Sequence, residues 1–454
     1  MEYRTLNPAT GELLKSFPSA SDADVENALE KATTAHHGWR EANFDQRAAV
    51  LQNAATILED RAEDLARLMA LEMGKPLYEG RAEAKKCAWV CRHYADKAEQ
   101  YLAPSIAETD GSEAFVRYDP LGPILAIMPW NYPFWQVFRF AAPNLMAGNT
   151  GLLKHSPNTP QCGLIIAEIL REAGAPEGVF QTLLISTTQA ARVIADHRVR
   201  GVTLTGSTGA GRAVGALAGK YLKPSVLELG GSDPFIVLDD ADVAEAAKTG
   251  VASRCLNSGQ SCIAAKRFLI HRDVYDDFLE AFNAEMSARK MGDPMDEETK
   301  LGPMARDDLR DGLAQQVADS LGVGARATVG GQRPDGPGFY YPGTVLTDIP
   351  INAPANSEEL FGPVASVFRV EDEEEVISLA NGTPYGLGCS LWTKDIGRAK
   401  ELIAKIDTGA VFVNGLVKSD PRIPFGGVKD SGYGRELGRE GILEFCNQKT
   451  VWIK

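Results

Sequence analysis

The chain reads as an α/β protein built on two mainly parallel sheets, and three observations predict this. From Pro123 onward, short apolar runs alternate with helix-length segments, which is the pattern of βαβ units. A second series of such runs starts at Pro234. The 454 residues exceed what one hydrophobic core usually organises, so two or three domains are expected.

Before Pro123 the chain has a different character. Ser21 and Asp22 can cap a helix, and from there to about Tyr101 apolar residues recur three or four apart, which predicts a helical lead-in. Between Tyr101 and Pro120 charges alternate with β-formers, predicting an exposed strand or hairpin. Strands are then expected at 124–128, 151–154, 180–184 and 201–205, with helices at 161–173 and 188–196 between them. The second series predicts strands at 234–238, 267–270, 339–346, 365–368 and 409–413, while 322–338 reads as glycine-rich turns.

Composition narrows the function classes. A net charge of -14 argues against a broad basic surface for nucleic acid or anionic lipid, so the partner is expected to be a small molecule. No stretch offers about 18 uninterrupted apolar residues, and the start has no apolar run behind a basic cluster, so a cytoplasmic protein is expected. Seven cysteines, an odd number spread along the chain, fit reduced thiols better than a disulfide framework. Cys87, Cys91 and His93 lie close together, but no second ligand cluster is near in sequence and no metal is expected.

Two segments about thirty residues apart carry the chemistry. Glu228 stands ahead of Gly230-Gly231, and Cys262 follows Gly259-Gln260-Ser261. An attacking thiol needs a base in reach, or a base that later activates water against the covalent intermediate, and Glu228 can fill that role. No histidine stands in a motif suggesting a Cys–His dyad. Cys255 lies seven positions before Cys262, about 10 Å away if helical, which is too far for a disulfide without movement.

Three further segments are candidates. Thr205-Gly206-Ser207 follows a strand and opens a helix, where free N–H groups favour a phosphate, although its glycine spacing is not the usual dinucleotide fingerprint. Lys154 ends a strand, where α/β sheets gather ligands. In Pro129-Trp130-Asn131-Tyr132-Pro133 the prolines stiffen a turn, so that Asn131 either presents its amide to an oxyanion or only satisfies backbone.

Taken in order, Pro129-Trp130-Asn131, Lys154, Thr205-Gly206-Ser207, Glu228-Leu229-Gly230-Gly231, Gly259-Gln260-Ser261-Cys262, Glu359-Leu360-Phe361 and Pro424-Phe425-Gly426-Gly427 resemble the successive motifs of the aldehyde dehydrogenase superfamily over essentially the whole chain. Within it, the segments around Arg139, Asp233, Lys266 and Ser419 are similar to bacterial and cyanobacterial succinate-semialdehyde dehydrogenases. The resemblance implies a parallel-sheet cofactor domain (1–100 and 120–230), an α/β catalytic domain (231–430) and a β-strand oligomerisation arm with C-terminal tail (101–119 and 431–454). A homodimer or homotetramer is implied with it.

The resemblance further implies NAD(P)-dependent oxidation of succinate semialdehyde, with a broad aliphatic or glutarate-semialdehyde dehydrogenase as the alternative. Cys262 would be the nucleophile, Asn131 would hold the oxyanion and Glu228 would activate water. Trp130, Lys154, Ser156, Thr205, Gly206, Ser207, Leu229, Glu359 and Phe361 would bind the cofactor, and Arg139 and Ser419 the substrate's distal carboxylate. Two departures matter. Pro157 occupies the place where many NAD-preferring relatives carry a glutamate, so a 2′-phosphate meets no repulsion and Lys154 with Ser156 can bind it. The arginine of some relatives six residues before the cysteine is Leu256, leaving carboxylate binding to Arg139 alone or to Lys418 or Arg422.

Overall fold

A computed structural model describes residues 3–454. Four helices, Asp22–Trp39, Phe44–Asp60, Ala62–Met73 and Leu77–Tyr101, form the lead-in. The first two begin in capping boxes at Ser21 and Asn43, each side chain accepting the N–H three residues on. The two strands ahead of them, Tyr3–Leu6 and Leu13–Phe17, pair antiparallel and were not foreseen. The second is largely exposed, so it shows no buried alternation.

Six strands form the first sheet, in the order Gly432–Tyr433, Ser225–Glu228, Gly201–Thr205, Pro123–Ile127, Thr150–Lys154, Phe180–Thr182. All neighbours are parallel except the two-residue edge strand, where Gly432 opposes Glu228. The order runs outward from Pro123–Ile127 in one direction through the next two strands, then returns to its other side. The switch point therefore lies between Ile127 and Leu204, and the carboxyl ends beside it are where open α/β sheets bind ligands.

The second sheet has seven strands, in the order Arg326–Val329, Thr344–Thr347, Val364–Val370, Arg267–His271, Pro234–Val237, Gly388–Trp392, Ala410–Val413. Its central strands are buried on both faces, which is why they read as apolar runs. The expected run 339–346 starts its strand only at Thr344, and 322–338 is not turns throughout, since Arg326–Val329 pairs antiparallel with Thr344–Thr347. Its alternation was hidden by exposure of the edge.

A three-stranded antiparallel sheet carries Ser105–Ile106, Glu113–Pro120 and Cys446–Ile453. Of the 431–454 segment only the last strand belongs to it, because Gly432–Tyr433 is hydrogen-bonded into the six-stranded sheet. No described helix is long and apolar enough to cross a membrane.

The helix Trp135–Ala147, every residue of which is buried, packs between the first sheet and the lead-in helices Phe44–Asp60 and Leu77–Tyr101. The helix Val243–Cys255 ends in a strained turn: Asn257 and Ser258 take left-handed angles, φ 54 for both, and Gly259 follows at φ +76. A Cβ on Gly259 would overlap the Gly362 carbonyl and the Pro363 nitrogen. Gly312, exposed in the helix Asp307–Gly322, has open space instead. Gly259→Ala should therefore lower stability by about 3 kcal/mol, whereas Gly312→Ala should raise it by about 0.5–1 kcal/mol. Thermal melts of the two variants check both signs.

Candidate active site

Cys262 lies on the turn after Gly259, and two buried cations hold that turn. Lys266 Nζ donates to the carbonyls of Ser261 (3.0 Å), Cys262 (2.7 Å) and Ala264 (3.2 Å). The Arg254 guanidinium donates to those of Gly259 and Ala265. The Ser261 carbonyl also accepts the Ala264 N–H, and the two cations supply side-chain donors to the other carbonyls of this buried turn. Lys266 also stands 3.4 Å from Glu359, whose other contact is the N–H of Gly231 at 3.0 Å.

The Asn131 turn is braced in the same way. Lys75 and Glu83 form a fully buried ion pair. Lys75 Nζ donates to the Asn131 carbonyl at 3.0 Å and lies 3.8 Å from the Tyr132 ring centroid. Glu83 accepts the N–H groups of Phe134 and Trp135, capping the buried helix. His155 joins the turn to the Lys154 strand through the Pro133 carbonyl, and burial keeps its imidazole neutral, down to about 4. Asn131 Nδ2 donates to the Gln260 carbonyl at 3.1 Å, which leaves its second proton free, and the Cys262 N–H has no acceptor among the described residues.

Two cavities meet at Cys262, which lines both. One, of about 260 Å³, opens at the switch point and is lined by Trp130, Asn131, Thr205-Gly206-Ser207, Leu229, Glu359 and Phe361. Trp130 and Phe361 meet edge to face, 5.9 Å between centroids. Ser207 caps the helix Thr208–Lys220 by accepting the Ala210 N–H, leaving other first-turn N–H groups free for an anion. Nearby in the sheet, Lys154 is buried, its ammonium has no hydrogen bond or ion pair among the described residues, and burial lowers that ammonium to about 8. Ser156 is occupied with Asn158, and Pro157 presents only its carbonyl, to the Arg4 N–H. These are groups that could hold a dinucleotide.

The other cavity, of about 180 Å³, is mostly apolar and is lined by Trp135, Arg139, Leu256, Ser419 and Phe425 among others. Arg139 is buried in an ion pair with Glu436, with its guanidinium 4.7 Å from the Phe425 ring centroid. Ser419 accepts from Lys86 Nζ at 2.8 Å. Lys418 lines the cavity but is exposed, and Arg422 turns to Asp420 instead.

Glu228 lines neither cavity. Its carboxyl is enclosed near Gly426, Arg139 and Glu436, and neither oxygen accepts a hydrogen bond from the described residues. Burial pushes it well above the usual carboxylate range; Arg139 pulls it back and Glu436 pushes it further. Cys255 faces away from Cys262, its Sγ 3.6 Å from Met286 Sδ. Lys75, Glu83, Lys86, Arg254, Lys266 and Glu436 escaped the sequence reading as working residues. Each is a charged residue without a local motif, and the buried ion pairs of Glu83 and Glu436 could only have been suspected from long-range packing.

With this geometry, the comparisons with known proteins agree. Residues 1–451 match the aldehyde dehydrogenase family, and the chain belongs to it. It is 53% identical, over the full length of both chains, to a Synechocystis sp. protein named probable succinate-semialdehyde dehydrogenase (NADP(+)). It is 51% identical, again over both full lengths, to succinate-semialdehyde dehydrogenase (NADP(+)) 1 of Mycobacterium bovis. The crystal structure of succinic semialdehyde dehydrogenase from Streptococcus pyogenes with NADP+ superposes with a TM-score of 0.97 at 39% identity, covering 99% of each chain.

Burial pushes the Cys262 thiol up to about 12, while Lys266 and Arg139 favour the thiolate and Glu359 and Asp233 oppose it. Below that value the thiolate fraction grows about tenfold per pH unit. The rate of Cys262 alkylation in the free enzyme should therefore still be climbing between pH 8 and 10. The other six cysteines are buried, so peptide mapping reads this thiol cleanly. A plateau by pH 8.5 would show a thiolate already formed at rest.

Proposed function

We propose that the chain is an NADP-dependent succinate-semialdehyde dehydrogenase. The observation that carries this reading is Cys262 at the junction of a cofactor-sized cavity and a narrow apolar one. A redox acyl reaction needs a nucleophile open to both. A cysteine esterase would have no use for the Trp130–Phe361 and Glu359 side. The names of the Synechocystis and Mycobacterium bovis relatives, identical at half or more of their positions, support the substrate.

The cofactor assignment rests on fit. Trp130, Phe361 and Glu359 would hold the nicotinamide end, Gly206, Ser207 and the helix behind them the pyrophosphate, and Thr205 and Leu229 the cavity wall. Lys154, a buried cation without a partner, suits a phosphate on the adenosine ribose, with Ser156 beside it and no carboxylate at Pro157 to repel it. When bound, NADP supplies a hydride acceptor.

The chain's own residues do the rest. Having given up its proton to solvent, the Cys262 sulfur attacks the aldehyde carbon as a thiolate to form a thiohemiacetal alkoxide, whose oxygen accepts hydrogen bonds from the free Asn131 N–H and the Cys262 N–H. After oxidation the acyl group is a thioester on Cys262. Glu228 takes a proton from the water that cleaves it, which requires its carboxyl to turn out of the enclosure beside Arg139. Arg139 and Ser419 are assigned to the distal carboxylate, at the far side of the narrow cavity. The arm is assigned to a homodimer or homotetramer: its strand Cys446–Ile453 has one unpaired edge and exposes Trp452 and Ile453.

Absorbance at 340 nm with succinate semialdehyde and with butyraldehyde, NADP against NAD, tests this directly. A kcat/KM preference of about a hundredfold for the semialdehyde, roughly 2.7 kcal/mol, is expected. Turnover with NADP at millimolar concentration or below is expected too. Equal rates on the two aldehydes would remove the substrate assignment. Glu228→Gln should leave thioester formation in place and stall hydrolysis, so that a succinylated Cys262 peptide accumulates in mass spectra. An unmodified Cys262 after incubation with both substrates would place the role of Glu228 earlier in the reaction.

A further inference from the structure

The narrow cavity contains one charge that the chain leaves unanswered. Two of the four cations on its wall or beneath it are neutralised within the protein: Lys75 by Glu83 and Arg139 by Glu436. A third, Lys418, is exposed and screened by water. Lys86 is different. It is half-buried in the wall, and no carboxylate lies within ion-pair distance of it among the described residues.

Its surroundings fix its position. The Lys86 stem brings Nζ to 4.1 Å from the Trp135 ring centroid, at the start of the wholly buried helix Trp135–Ala147. One ammonium proton goes to Ser419 Oγ at 2.8 Å. Because that oxygen accepts from Lys86, the Ser419 hydroxyl must donate elsewhere, and it has no acceptor among the described residues. Ser419 is buried, so this is an O–H without a partner beside an N–H without a counter-charge. The two donors converge, and an anion with two oxygens satisfies both.

We infer that Lys86, with the Ser419 hydroxyl, is the cation that receives the distal carboxylate of the aldehyde. This deepens the semialdehyde reading and rests on it. Arg139 then lends N–H groups and shape to the same end of the cavity, but its charge is already shared with Glu436. Leu256, which also lines the cavity, contributes only apolar wall for the substrate's methylenes. The ammonium bears the mark of a missing anion: burial, with Arg139 adding to it, brings Lys86 down to about 8, against the opposing pull of Glu83 and Asp420. A bound carboxylate would reverse that.

The test is the ratio of kcat/KM for succinate semialdehyde to that for butyraldehyde, measured in one preparation each of wild type, Lys86→Met and Lys86→Arg. The ratio does not depend on how much of a preparation is active, so partial misfolding does not distort it. Methionine keeps an unbranched stem over Trp135 and removes the charge. In Lys86→Met the ratio should fall about thirtyfold, through KM for the semialdehyde, as loss of a charge-assisted hydrogen bond predicts. Inhibition by succinate should weaken in parallel, and Lys86→Arg should restore most of both. A wild type that prefers the semialdehyde, with an unchanged ratio in Lys86→Met, would overturn this inference alone. A wild type without preference would overturn the semialdehyde reading and this inference together.

Discussion

The site depends on two cations placed where cations are costly. Arg254 and Lys266 are buried almost completely, and neither is placed there as half of a simple ion pair. What stabilises them is the turn they organise. Between them they donate to five carbonyls, those of Gly259, Ser261, Cys262, Ala264 and Ala265. An isolated buried ammonium would lose its proton, and isolated buried carbonyls would each cost about 1–3 kcal/mol. Together they satisfy one another, and a stretch with two left-handed non-glycine residues is held in one conformation. Lys266 extends the arrangement to Glu359 and, through it, to the Gly231 N–H. The turn that bears Cys262 and the Glu359 carboxylate that lines the larger cavity are therefore parts of one electrostatic unit.

That unit sits where topology makes room for it. Residues at the carboxyl ends of the six-stranded sheet, Asn131, Lys154, Thr205 and Glu228, come from strands that straddle the switch point or stand next to it. The cysteine comes from the second sheet's side, on the segment leading to Arg267–His271. A thiol carried by one sheet and an amide carried by the other can face the same small volume only if both turns are rigid. The Lys75–Glu83 pair supplies the rigidity on the amide side, as Arg254 and Lys266 do on the thiol side. Both turns use the same device, a buried charge spent on backbone groups.

This device explains what could be read from the sequence and what could not. Strands buried on both faces, such as Pro234–Val237, show as apolar runs of the right length. Gly388–Trp392 is equally buried, yet its glycine, cysteine and serine hide it. Ser225–Glu228 is four residues long and ends in a carboxylate, so it lacked the run that marks its neighbours. Among the site residues, Cys262, Glu228 and Asn131 stand beside glycines or prolines, and that local chemistry is visible. Lys75, Glu83 and Lys86 lie on or beside a helix whose charges look like a solvated face. Nothing local distinguishes Glu83, which caps a helix more than fifty residues away, from exposed Glu99. The difference is tertiary, and periodicity does not report it.

Glu228 shows how burial can set the order of events. Enclosed beside Glu436 and without a hydrogen bond from the described residues, its carboxyl is pushed well above the usual carboxylate range by burial, so the enclosure favours the form that takes no proton from water. Ionised, it would be an uncompensated charge in the same enclosure, only partly balanced by an Arg139 already paired to Glu436. Desolvation thus ties position to protonation: the enclosure disfavours the anion, which is better placed where solvent reaches. In the reaction proposed above, a base withdrawn in this way leaves the first covalent step to the Cys262 sulfur and the oxyanion donors. In that proposed reaction, its ionisation and its movement toward the thioester are favoured together, because each exchanges the enclosure for solvent.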